Sequence, residues 1–213
     1  MMQDLTLDEL IAGHAAGNLP EPISLAVATH LALSASHRRE FRTFEAAGGA
    51  MLEKLEPVSM REGCLSRLLD ALDDDDVEDL CAYSGRDPRL PAPLAAYVPG
   101  RLEELRWRSY GTASEAELPL RSPGFRTALI RVKAGRSVPQ HTHDGHELTV
   151  VLDGGFTDAS GHYVRGDLVL ADHAVDHRPV ADEDQDCLCL AVTDAPLRLT
   201  GTFGRLLNPL LRF

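Results

Sequence analysis

Residues 135–154, G-R-S-V-P-Q-H-T-H-D-G-H-E-L-T-V-V-L-D-G, decide how the rest of the chain is read. His141 and His143 are two apart, so on an extended strand their side chains point to one side. Glu147, entering from the next turn of chain, closes a facial set of three ligands for one metal ion. Two imidazoles and a carboxylate suit zinc, iron, manganese or nickel, and they leave positions open for a fourth ligand and for water or substrate. Such an ion could serve as a catalyst, a sensor or a staple.

The sequence around this stretch has the period of strands. Segments 126–132, 147–152, 167–171 and 187–192 are short, β-branched or aliphatic, and punctuated by Gly, Pro and Asp, as in an all-β sandwich or barrel. Before them the period is helical. Thr6 and Glu9 form a capping-box pattern opening a helix to about Gly17. Pro20 starts a second helix with Ile23, Ala26, Val27, His30 and Leu31 on one stripe, ending near residues 34–36. Phe41, Phe44 and Leu52 mark a third, stopping near Gly48 and Gly49 or passing them. Leu65, Leu68, Leu69 and Leu72 mark a fourth, which runs into the solvated aspartates 73–76. Between the two halves, residues 84–93 carry three prolines in six residues, which neither a helix nor a central strand accepts. The expectation is an α+β multidomain chain: an all-α unit over 1–85, a linker over 86–96 and an all-β unit over 97–213.

Length and composition narrow the function. The 213 residues, 44% hydrophobic, hold one large domain or two small ones. No basic start followed by an apolar core and no run of about 18 apolar residues points to secretion or a membrane span, so a cytoplasmic protein is expected. The four cysteines are too scattered for a disulfide framework. Residues 1–90 carry 17 acidic against 8 basic side chains, a net of −9, and residues 91–213 carry 16 against 13, a net of −3. An acidic first half repels nucleic acid and suits a basic protein partner, although acidic faces also serve solubility alone.

Gly135, five residues, His-x-His, three residues, Glu147, six residues and Gly154 together resemble the first motif of the cupin superfamily. Gly166 and His177 stand where that family's second motif places its glycine and histidine. The second motif departs at Asp172-His173-Ala174, where Pro-x-Gly is usual, and at Ala181, where Asn is usual. The resemblance implies a jelly-roll barrel in which His141, His143, Glu147 and His177 converge on one divalent ion, zinc first, with iron, manganese or nickel as the others. Burying four such side chains unpaired would be costly, and a shared metal removes that cost. A metal-free barrel whose histidines bond one another is the other reading. His146 and His173 fit neither motif, and His14 and His162 have no partner by spacing.

A closer resemblance spans nearly the whole chain. H-L-A-L-S-A-S-H-R-R (30–39), D-P-R-L-P-A-P-L-A-A-Y-V (87–98), R-L-E-E-L-R-W-R (101–108), H-E-L-T-V-V-L-D-G (146–154) and D-C-L-C-L-A-V-T-D-A-P-L-R (186–198) look like ChrR-type anti-sigma factors. That resemblance implies a helical domain that sequesters an extracytoplasmic-function sigma factor, here through residues 1–85. It also implies a cupin domain needed for the response to singlet oxygen or related oxidants. The alternative is a cupin-type metal-dependent dioxygenase, isomerase or hydrolase. The family's helical domain also binds zinc through an upstream His and H-x3-C-x2-C, where this chain has His30, Ser34 and His37. Both thiolates are gone and serine is a poor zinc ligand, so the helices are expected to fold on packing alone, with a site from His14, His30 and His37 as the other option. Cys187 and Cys189 share one strand face; they read as two small buried hydrophobes, with an oxidisable pair near the metal as the rival.

Overall fold

The computed structural model describes residues 6–72, 87–98, 100–120 and 122–201. The aspartates 73–76 and residues 84–86 of the proline-rich stretch lie outside the described residues. Five α-helices open the described chain: α1 (Leu7–Ala15), α2 (Glu21–Leu33), α3 (Ala35–Leu52), α4 (Cys64–Leu72) and the short α5 (Ala92–Ala95). The capping box forms as expected: Thr6 Oγ1 accepts from the Glu9 amide, and Glu9 Oε2 accepts from the Thr6 amide at 2.8 Å. Pro20 precedes α2, and Arg38 donates to the Leu31 and Ala32 carbonyls at 2.8 Å each, so a cation satisfies the C-terminal end of that helix. α3 passes through Gly48 and Gly49 and ends at Leu52. A glycine weakens a helix interior without forbidding it, and neither is in a left-handed conformation.

Eleven strands follow: β1 (Arg108–Tyr110), β2 (Ala113–Glu117), β3 (Arg126–Val132), β4 (His141–His143), β5 (Glu147–Asp153), β6 (Gly155–Thr157), β7 (His162–Val164), β8 (Leu168–Ala171), β9 (Val180–Ala181), β10 (Cys187–Thr193) and β11 (Leu197–Leu199). They form a six-stranded sheet in the order β1-β2-β3-β10-β5-β8, a three-stranded sheet β7-β6-β9 and a pair β11-β4. All pairings are antiparallel. Gly154 turns β5 into β6 at φ +66°, and a side chain there would overlap the Asp186 carbonyl oxygen. The motif glycine is therefore required twice over, by conformation and by space.

The central strands of the large sheet are buried on both faces. Leu148, Val150 and Leu152 of β5 and Leu188, Leu190 and Val192 of β10 join one core with Leu10, Ile11, Ile23, Val27 and Leu31 of the helices. Val151 of β5 and Cys187 and Cys189 of β10 face the other way, with Val132, Phe156 and Ala181. That is why L-T-V-V-L and C-L-C-L-A-V read as almost unbroken apolar runs instead of alternating ones. α2 is the covering element. Its buried residues, Pro22, Ile23, Leu25, Ala26, Val27, Thr29, His30 and Leu31, lie on every side of it, as expected of a helix enclosed by its neighbours. Helices and barrel thus share a core, at about 1.5–3 kcal/mol for each large side chain fully buried in it.

A shared core makes a measurable demand. Ile23→Ala should cost about 2–5 kcal/mol, and because Trp107, the chain's only tryptophan, belongs to the barrel side, its fluorescence transition in urea should move to lower denaturant together with the far-UV signal. A Trp107 transition that stays where it was would mean that helices and barrel unfold separately.

Candidate metal centre

β4 presents His141 and His143 from one face, as the two-residue spacing requires. His177 arrives on the segment that lies beside β4. Its backbone pairs with His141 in both directions, amide to carbonyl, at 3.0 Å each. The loop leading to it turns without the usual proline and glycine, because Asp172 Oδ1 accepts from the Ala174 amide at 2.8 Å and its carbonyl accepts from Val175 at 3.1 Å. The nitrogens of His141, His143 and His177 lie within 4.8 Å of one another, and all three rings are buried.

The hydrogen bonds around these rings decide what they can hold. His141 Nδ1 donates to the Pro139 carbonyl at 2.8 Å, and His177 Nδ1 donates to the Asp158 carboxylate at 2.8 Å. In neutral rings those protons leave Nε2 as the bare acceptor on each. The two Nε2 atoms nevertheless face each other at 3.2 Å, lone pair against lone pair, which calls for a positive charge beside them. Burial is the largest influence on His141 and His143 and pushes both below their ordinary value of 6.5, which disfavours an extra proton. A metal ion meets the demand instead. Two nitrogens of a tetrahedral zinc site stand about 3.3 Å apart, close to the spacing found. His143 adds two buried ring nitrogens with no hydrogen-bond partner. The Glu147 carboxylate is 3.8 Å from His143 Nδ1 and accepts from the Thr149 hydroxyl at 2.9 Å, so it borders the three histidines without completing their cluster.

Asp158 carries no mark in the sequence beyond a turn composition, D-A-S-G. It caps its own turn by accepting from the Ser160 amide at 2.8 Å, while its other oxygen orients His177. A carboxylate behind a ligating imidazole fixes the tautomer and raises ligand basicity. Below the cluster lies a cavity of about 120 Å³, walled by Ile130, Val138, Phe156, Val169 and the two cysteines. It is comparable to cavities that accept one small apolar molecule. The Cys187 and Cys189 sulfurs are 3.5 Å apart. Their mutual hydrogen bond, with burial second, pushes the Cys189 thiol well up, which keeps it protonated and unreactive at neutral pH.

The remaining histidines find other partners. His146 contacts Asp194 at 3.1 Å, His162 contacts Asp182 at 3.1 Å, and His14 bonds Ser24 at 2.8 Å. His173 is exposed. His14, His30 and His37 do not assemble into a metal-holding group among the described residues. His30 Nε2 and His37 Nδ1 are 2.7 Å apart, a distance spanned by a proton and too short for two ligands of one tetrahedral zinc.

Residues 100–196 match the family described as the ChrR cupin-like domain. Over 206 residues the chain is 41% identical to the anti-sigma-E factor ChrR of Cereibacter sphaeroides, covering 96% of each protein. The chain belongs to the ChrR family of anti-sigma factors. The crystal structure of Rhodobacter sphaeroides SigE in complex with the anti-sigma ChrR matches it with a TM-score of 0.77 at 41% identity, over 88% of this chain and 96% of that one. Helices preceding a cupin-like barrel are therefore the family's architecture, and the role that goes with it is regulatory, not catalytic.

Asp158→Asn should lower zinc affinity about 10–100-fold while leaving the far-UV spectrum unchanged; isothermal titration measures it. Because burial holds His141 and His143 below 6.5, both are neutral at pH 7. Zinc affinity should therefore weaken as the pH falls into the acidic range, when protons compete for the same nitrogens.

Proposed function

We propose that this protein is a cytoplasmic inhibitor that sequesters an extracytoplasmic-function sigma factor through its helical half, residues 1–85, and that its barrel, 97–213, holds one divalent ion. His141, His143 and His177, with Glu147 beside them, hold that ion, and zinc is the first choice among metals that accept nitrogen and oxygen donors. The observation that carries the reading is α4. Its Leu65, Leu68, Leu69 and Leu72 recur at i, i+3, i+4 and i+7 and are 64, 56, 51 and 70% exposed. Met51, Leu52, Leu55, Val58 and Met60 extend the same apolar exposure back to the end of α3. A helix that turns a leucine face to water is built to lay that face into a partner's groove.

Residues 1–90 carry a net charge of −9, which favours encounter with basic polymerase- and DNA-binding surfaces on a sigma factor. None of the described helices is long and apolar enough to cross a membrane, which is compatible with action where sigma factors meet polymerase. The release signal is an oxidant of the singlet-oxygen type, read at the barrel. There, oxidation or loss of an imidazole ligand would change the charge and geometry of the centre. Cys187 and Cys189 serve as buried wall of the cavity, and the Cys189 thiol, pushed upward in pKa, is a poor nucleophile.

Leu65→Ser combined with Leu69→Ser should weaken binding of the sigma factor encoded nearest to this protein by at least about 100-fold. The urea midpoint should not change, because both side chains are already in solvent. Wild-type affinity in the double variant, or no sigma binding by the wild-type chain, would sink the proposal.

A further inference from the structure

Four residues, from the last of β7 to the one before β8, hold three parts of the molecule together. The turn 164–167 is closed by the Asp167 amide donating to the Val164 carbonyl at 2.9 Å and by Asp167 Oδ2 accepting from the Val164 amide at 2.8 Å. It is pinned to the backbone of β5, since the Gly166 amide donates to the Val151 carbonyl at 2.8 Å and the Val151 amide donates to the Asp167 carbonyl at 3.0 Å. On its outer side the Gly166 carbonyl accepts from His30 Nδ1 at 2.6 Å. Arg165 donates to the Leu152 carbonyl and reaches the Pro88 and Arg89 carbonyls at 3.4 and 3.3 Å. The C-terminal turn of α2 and the residues entering the barrel are thus fastened to one point, 136 residues along the chain from His30.

The fit at that point is close. Gly166 has φ +97°, and a Cβ there would stand 3.2 Å from the Leu33 Cβ, so only glycine lets α2 approach. His30 is 2% exposed and is held from behind by His37, whose Nδ1 donates to His30 Nε2 at 2.7 Å while His30 Nδ1 donates onward to Gly166. Such a chain of donors orients each ring by the next. From the same turn the backbone runs directly into β8, whose Val169 and Ala171 line the cavity, and through residues 172–176 to His177.

We propose that the turn 164–167 is the joint through which the state of the histidine centre sets the pose of the helices, with His30 as the positioning residue that holds α2 on the Gly166 carbonyl. The proposal deepens the sigma-inhibitor reading and rests on it for its biological use. A shift of His177 displaces the loop 172–176 and the edge strand β8. The turn moves with β8, and the His30 contact passes that movement to α2 and to the α2–α3 corner, from which α3 and the sigma-facing leucines follow. Contiguity alone does not establish coupling, so the test measures coupling itself.

Hydrogen exchange of the full-length chain over segment 30–38 is compared in four proteins: wild type, His177→Ala, His30→Leu and the double variant. His177→Ala should raise exchange in that segment by at least about fivefold when His30 is present, and should leave it unchanged when His30 is leucine. A segment indifferent to His177→Ala, or one that responds equally in both backgrounds, overturns the proposal. Should His30→Leu fail to give the native far-UV spectrum, His37→Ala takes its place. It removes the group behind His30 and should reduce the response to His177→Ala, and an undiminished response counts against the joint. Zinc content and sigma-factor capture, measured on the same samples, report separately on the metal and inhibitor readings. A chain that holds no zinc yet transmits the His177→Ala change through His30 sinks the metal reading and keeps the joint.

Discussion

The structure depends on the burial of α2 against the large sheet. Ile23, Val27 and Leu31 meet strands whose opposite face already walls a cavity, so β5 and β10 have no solvent side in the region they share. A sheet covered on both faces acts as a partition: helices on one side, the histidine cluster and its cavity on the other. A change in one compartment meets the other across a single layer of backbone. Packed layers of this kind have few intermediate arrangements, which is what a switch between bound and released states requires.

The two histidine groups show how donor spacing selects the occupant. His141 and His177 present Nε2 to Nε2 at 3.2 Å after both Nδ1 protons are spoken for, a spacing that suits a shared cation. His30 and His37 present Nε2 to Nδ1 at 2.7 Å, with His30 Nδ1 committed to a carbonyl, a spacing that suits a shared proton. At the α2–α3 corner this chain has Ser34 and His37. It holds the same corner with hydrogen bonds and with Arg38 on the last carbonyls of α2. Among the described residues the barrel therefore has the histidine group that could hold a metal, while the His30–His37 corner is joined by hydrogen bonds.

Much of this was legible residue by residue. The capping box at Thr6 and Glu9, the start of α2 after Pro20 and the strands β3, β5, β8 and β10 of the large sheet depend on neighbours within a few positions, where spacing translates directly into geometry. α3 was less so, because Gly48 and Gly49 lower helix propensity without imposing a stop. Asp158 was not legible at all. Its turn composition describes only the oxygen that caps Ser160, and nothing local reveals that the other oxygen meets a histidine 19 residues on. The same holds for Gly166, whose place in a motif announces a turn and says nothing of Leu33.

By itself the sequence determined the order of helices and strands, the pairing of His141 with His143 on one strand face and the helical stripe of the α4 leucines, since all of these follow from periods of 2 and 3.6 residues; that the stripe faces solvent came from the structure. Only the tertiary structure decided that His177 lies against His141, that Asp158 orients it, that Glu147 stands at the edge of the cluster and that His30 is fastened to the barrel. Those relations join residues far apart in the chain, and they arise from which faces must be buried together and which buried polar atoms must then find partners.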